Sequence, residues 1–139
     1  MKKLVIDSSV IVKWLNQQNE LHLIQADKIL NDVRENRVML LAPELAKYEI
    51  GNALLIRKQL SANGADVTFN NLFALPIQFV SQSEELANET YVIAKKANIT
   101  YYDACFIALA KQESAELVTD NPKHQAKTKV VSVKPLEDY

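Results

Sequence analysis

Five short apolar runs limit how this chain can fold: LVI (4–6), VMLLAP (38–43), IQFV (77–80), ELV (116–118) and VVSV (130–133). Each reads as a short buried strand, and helical stretches lie between them. In residues 22–36, Ala26, Ile29, Leu30 and Val33 recur at the i, i+3, i+4, i+7 spacing of a buried helical face. A second helix is predicted from about Glu44 to Leu60, ending before the turn-forming pair Asn63 and Gly64, and a shorter one over 65–75. Ser83 is placed to cap a helix reaching about Asn98, with Glu84 and Glu85 in its first turn, and Thr100 starts the next. Strands alternating with helices imply right-handed crossovers and a mostly parallel sheet covered on both faces. The expected class is α/β, and 139 residues, 48% of them hydrophobic, suit one domain over 1–139 with one core.

Composition removes several function classes. Gly51 and Gly64 are the only glycines, so phosphate-cradling and dinucleotide-binding loops are absent. His22 and His124 follow no metal-ligand or triad spacing, and there is no G-x-S-x-G elbow. A single cysteine, Cys105, excludes an internal disulfide framework and a thiolate-rich zinc site; its apolar neighbours suggest a plain buried thiol. A net charge of −1 leaves any nucleic-acid contact to a local patch, with Lys13, Arg57, Lys58, Lys123, His124 and Lys127 as candidates. Tyr101, Tyr102 and Trp14 are of the type that stacks on bases, although aromatics beside a core helix are more often packing. The basic, apolar start is interrupted by Asp7 and Lys13 with no small-residue cleavage site after it, and no stretch approaches the ~18 apolar residues of a membrane span. A cytoplasmic location without membrane attachment is expected.

Four acids are harder to explain. Asp7 ends the first strand, where the ligand crevice of a parallel α/β sheet opens. ELVTDN (116–121) repeats the arrangement, running into Thr119, Asp120 and Asn121. Turn formation accounts for either alone. Glu49 shares a helical face with Leu45, Ala53 and Ile56 and so interrupts an apolar stripe; it is either at the stripe's edge, reaching solvent, which is the favoured reading for the residue alone, or held for a purpose, since burying an unpaired charge costs several kcal/mol or shifts its pKa. Asp103 completes the capping pattern Thr100-Tyr101-Tyr102-Asp103 before the all-apolar helix ACFIALA, whose acidic end then faces the interior or a cleft.

The order Asp, Glu, Asp, Asp on strand end, helix, helix start and strand end resembles the PIN-domain family, specifically the VapC-type toxin ribonucleases of toxin–antitoxin pairs. The likeness covers nearly the whole chain: VIDSSVIVKWL resembles the family's opening strand and acid, LAKYEIGNALLIRK its glutamate helix, and ITYYDACFIALAKQESAELVTDNPKH its last two acidic motifs in tandem. It implies a metal-dependent endoribonuclease, with Asp7, Glu49 and Asp103 binding metal and Ser9 and Thr119 as polar supports. It also implies an RNA substrate, a small VapB-type antitoxin partner and a homodimer. One position departs: the family's final acid lies two residues beyond the threonine, where this chain has Asn121, with Asp120 one residue earlier. Charge favours Asp120 as the fourth ligand, because an amide oxygen cannot neutralise a cation; Asn121 is then a water-positioning neighbour.

The chemistry agrees independently. Carboxylates without thiolates favour hard cations, Mg²⁺ or Mn²⁺, suited to phosphodiester hydrolysis. Two unit charges ~4 Å apart repel by about 4 kcal/mol at an effective dielectric of 20, which a cation offsets. The alternatives are a catalytically weak PIN-fold module that binds RNA or protein, its fourth ligand having lost its charge, and a DNA-directed PIN-like nuclease. A haloacid-dehalogenase-type phosphatase requires a second aspartate where Ser9 stands, and a receiver domain an acidic pair where Ile6 precedes Asp7.

Overall fold

Leu4, Val5 and Ile6 have no solvent exposure because their strand, β1 (Lys2–Ile6), is paired on both sides. The computed structural model describes all 139 residues, Met1–Tyr139. Parallel neighbours flank β1: β2 (Val38–Pro43) and, on the other side, β4 (Glu116–Thr119). Outside them lie β3 (Ile77–Val80) and β5 (Val133–Pro135), giving an all-parallel sheet of order β3-β2-β1-β4-β5. The expected α/β architecture is therefore present.

The chain runs outward from β1 to β3, then crosses back to β4, so strand order switches beside β1. Right-handed crossovers place α1 (Ser8–Leu15), α2 (Leu23–Arg34), α3 (Leu45–Ile56) and α4 (Ala62–Ala74) on one face, and α5 (Glu84–Ala97) and α6 (Tyr101–Glu113) on the other. Accordingly α1 packs on α2, α3 and α4, and α5 packs on α6. A short α7 (Pro122–Gln125) follows β4. One cluster of 28 buried residues forms the core. Ala104 to Ala110 of α6 are all buried, as a run apolar on every side requires. Each buried Leu, Ile or Phe contributes about 1.5–3 kcal/mol of transfer free energy.

Three boundaries differ from expectation. The helix expected from about Glu44 to Leu60 ends at Ile56, because Gln59 adopts a left-handed φ of 53°. Asn63 and Gly64 are not the turn: Ser61 caps α4 by accepting the Gly64 N–H at 3.1 Å, and both lie in that helix's first turn. The last strand starts at Val133 rather than 130, with its register set where Leu117 N–H donates to Ser132 O (2.9 Å) and Ser132 Oγ donates to Glu116 Oε2 (2.8 Å).

Candidate metal centre

Asp7 sits between β1 and α1 and caps the helix: its Oδ2 accepts the Ser9 N–H at 3.2 Å from extended backbone. The same oxygen accepts the Ser9 hydroxyl at 2.5 Å and the Thr119 hydroxyl at 3.2 Å, while Oδ1 accepts Gln125 Nε2 at 3.3 Å. Ser9 Oγ in turn accepts the Asp120 N–H (3.0 Å), and Thr119 Oγ1 the Asn121 N–H (3.1 Å). Two hydroxyls thus tie the backbone leaving β4 to the carboxylate leaving β1. Burial pushes the Asp7 carboxyl above its ordinary value, and the Ser9, Gln125 and Thr119 hydrogen bonds oppose that rise.

Glu49 is half-buried on α3, where Ser8 Oγ donates to its Oε1 at 2.8 Å. Desolvation lifts its pKa to about 7; the Ser8 hydrogen bond opposes the rise, and the charges of Asp7 and Asp103 add to it. Asp103 enters from the first turn of α6, where Thr100 Oγ1 accepts its N–H at 3.1 Å as the capping pattern predicts. The reciprocal bond of a full capping box is not made, so the Asp103 side chain remains in the cleft.

Asp120 is engaged differently. Its Oδ2 pairs with Lys13 Nζ at 2.9 Å and its Oδ1 with His22 Nδ1 at 2.9 Å. Lys13 is only 2% exposed and also pairs with Glu20 Oε1 (3.1 Å) and donates to the Leu21 carbonyl (2.7 Å), while Lys58 pairs with Glu20 Oε2 at 2.7 Å. Asp120 lines the same cleft as the other acids, with both of its oxygens paired to basic side chains. Lys13 and Lys58, expected as phosphate guides, are consumed by the same cluster. Asn121 is exposed in the cleft and supports the site through its N–H.

All four acids line one cleft of about 1010 Å³ beyond the carboxyl ends of β1 and β4, at the switch in strand order. Arg57, Lys123 and His124 line it too. No three His, Cys, Asp or Glu side chains converge on a common point at metal-binding distance. The apolar stripe assigned to Glu49 is the cleft wall: Ala53 and Ile56 border the opening, and α3 buries Ala46, Ile50 and Leu54 instead. Trp14 is structural, donating to the Ala26 carbonyl at 2.9 Å. Sequence reasoning did not identify Ser8, Glu20 or Gln125. Ser8 adjoins Asp7 and lies on a helix not expected there; Gln125 carried no local signal. Gln125 is 2% exposed, and its Oε1 is buried without a hydrogen-bond partner.

A doubly covered parallel sheet with carboxylates gathered at its switch point defines the class of protein. The PIN domain model matches residues 4–130, and the chain belongs to the PIN-domain family. It is 26% identical over 124 residues to Ribonuclease VapC3 of Pyrobaculum aerophilum, covering 84% of this chain and 88% of that relative. Its fold is also that of VapBC2 from Rickettsia felis bound to a DNA fragment from their promoter (TM-score 0.71, 12% identity, 96% of this chain and 98% of that one). A toxin–antitoxin complex from Klebsiella pneumoniae is similar at TM-score 0.70 and 15% identity, over 98% of this chain and 99% of that one.

Proposed function

We propose that this protein is a metal-dependent endoribonuclease, the toxin of a VapBC-type pair, in which Asp7, Glu49 and Asp103 hold Mg²⁺ or Mn²⁺. The observation that carries the reading is that three carboxylates from three separate elements, Asp7 after β1, Glu49 on α3 and Asp103 on α6, line one cleft beyond the carboxyl ends of the strands. Their donor set fits a hard cation: all three are oxygen ligands, and the basic side chains within ion-pair reach go to Asp120 and Glu20 instead. A bound ion of this kind supplies Lewis acidity to a phosphodiester and lowers the pKa of its water.

The chain's own residues do the rest. Ser9, Thr119 and Gln125 fix the Asp7 carboxylate, and Ser8 fixes that of Glu49. Arg57 and Lys123 supply positive charge for neighbouring phosphates. Asp120 acts through Lys13 and His22 as a brace for the cleft wall rather than as a free fourth ligand. The relative's name and the VapBC neighbours support an RNA substrate and a small VapB-type antitoxin; homodimerisation and a cytoplasmic setting complete the reading. The test is purified protein with a mixed RNA pool in Mn²⁺ or Mg²⁺, then in chelator, beside Asp7→Asn. Cleavage should require the metal and vanish in the variant; cleavage that persists in chelator overturns the assignment.

A further inference from the structure

A second groove, of about 220 Å³, opens between the N-terminal turns of α3 and α6. Pro43, Leu45, Val80 and Leu86 give it apolar walls, and Tyr48 and Tyr102 border it with 78% and 60% exposure. Tyr101 has a structural task there, its hydroxyl accepting from Gln82 Nε2 (3.0 Å) and donating to the Ala87 carbonyl (3.4 Å). Tyr48 and Tyr102 have no such role, and large rings left exposed beside an apolar groove call for an occupant.

The groove adjoins the acids. Tyr48 immediately precedes Glu49, and Tyr102 immediately precedes Asp103, a step of ~100° around each helix. Along α3 and just past it the order is Tyr48, Glu49, Arg57: ring, carboxylate, guanidinium, with the last two ~12 Å apart at 1.5 Å per residue. A single nucleic-acid strand has that sequence of needs. The volume lies below the ~300–1,000 Å³ of sites for drug-sized ligands and suits one ring system.

We propose that the groove between Tyr48 and Tyr102 is a nucleobase subsite, taking the base of the single-stranded RNA nucleotide next to the phosphate held at Asp7, Glu49 and Asp103, with further phosphates toward Arg57 and Lys123. It rests on the ribonuclease reading above. Stacking on the rings supplies affinity without strict base identity; Gln82 and Glu44 at the edge offer polar atoms for a preference.

The test uses short single-stranded RNAs carrying one abasic nucleotide at successive positions. Binding is followed by fluorescence anisotropy in the Asp7→Asn background, and cleavage in Mn²⁺ otherwise. One abasic position should weaken binding roughly tenfold, and the Tyr48→Ala/Tyr102→Ala double variant should lose about as much on intact RNA while becoming indifferent to that position. Tyr48→Phe and Tyr102→Phe should bind as the parent does. The double variant should keep the parent's thermal midpoint and its Mn²⁺ affinity by calorimetry, and with Asp7 restored should raise KM far more than it lowers kcat. Equal affinity of parent and double variant for every RNA overturns the proposal and leaves the groove to a protein partner. Absence of cleavage by the unmutated protein overturns the ribonuclease reading alone, since the binding series still decides the subsite.

Discussion

Asp7 meets two demands at one position, because the carboxylate that ends β1 also caps α1. Asparagine caps a helix about as well as aspartate, so Asp7→Asn keeps the helix start while removing a charge from beside Glu49. Its thermal midpoint in chelator should equal or exceed the parent's, with RNA cleavage lost, whereas Asp7→Ala should lose about 1 kcal/mol of stability. A clearly lower midpoint for Asp7→Asn would show that the charge serves the fold. Glu49 makes a pH prediction. Unfolded, it releases its proton near 4.5; folded, it holds it to about 7, so between these values the folded chain binds more protons and stability falls as pH rises. The metal-free protein should therefore melt at a lower temperature at pH 8 than at pH 5. Glu49→Gln should flatten that part of the profile.

At the scale of elements, α6 was legible because its signals are local: a capping threonine, then a run with no polar face. Thr100→Ala should cost roughly 1 kcal/mol in urea unfolding with cleavage nearly intact, and Asp103→Asn should do the reverse, leaving the cap bond and losing cleavage. Equal stability losses with full cleavage in both would reduce Asp103 to a helix-start residue. Helix α1 was not legible. Its residues SSVIVKWL continue a β-branched run that favours a strand, and the helix forms because Asp7 caps it and Val10, Ile11 and Val12 are buried in the core. Missing α1 also hid Ser8. On α3 the spacing identified an apolar stripe with Glu49 at its edge or held within it, but spacing alone does not say whether such a stripe meets a core or borders a cleft.

Across the whole molecule, the Lys13 cluster ties α1, the segment through Glu20 and His22, the chain just past α3, and the turn after β4. Removing one partner of a buried ion pair strands the other charge, at about 3–5 kcal/mol. Lys13→Ala should therefore cost around 3 kcal/mol in urea unfolding at pH 7, far more than Arg57→Ala on the same cleft. Asp120→Asn should destabilise where Asp7→Asn does not. If instead Asp120→Asn weakens Mn²⁺ binding at unchanged stability, Asp120 belongs with the ligands. Such pairings were unreadable from spacing, since they join residues brought together only by the sheet order.

The bonds that fix Asp7 from the neighbouring β4 and the short helix after it bridge 112 and 118 residues of chain, to Thr119 and Gln125. During synthesis, β1 emerges first and waits with one edge unpaired until β4 arrives, and parallel pairing across such separations is slow to form. On the proposed function this delay is protective. The ribosome is itself largely RNA, and the nascent chain beside it has no assembled cutting site until β4 and α7 have left the exit tunnel.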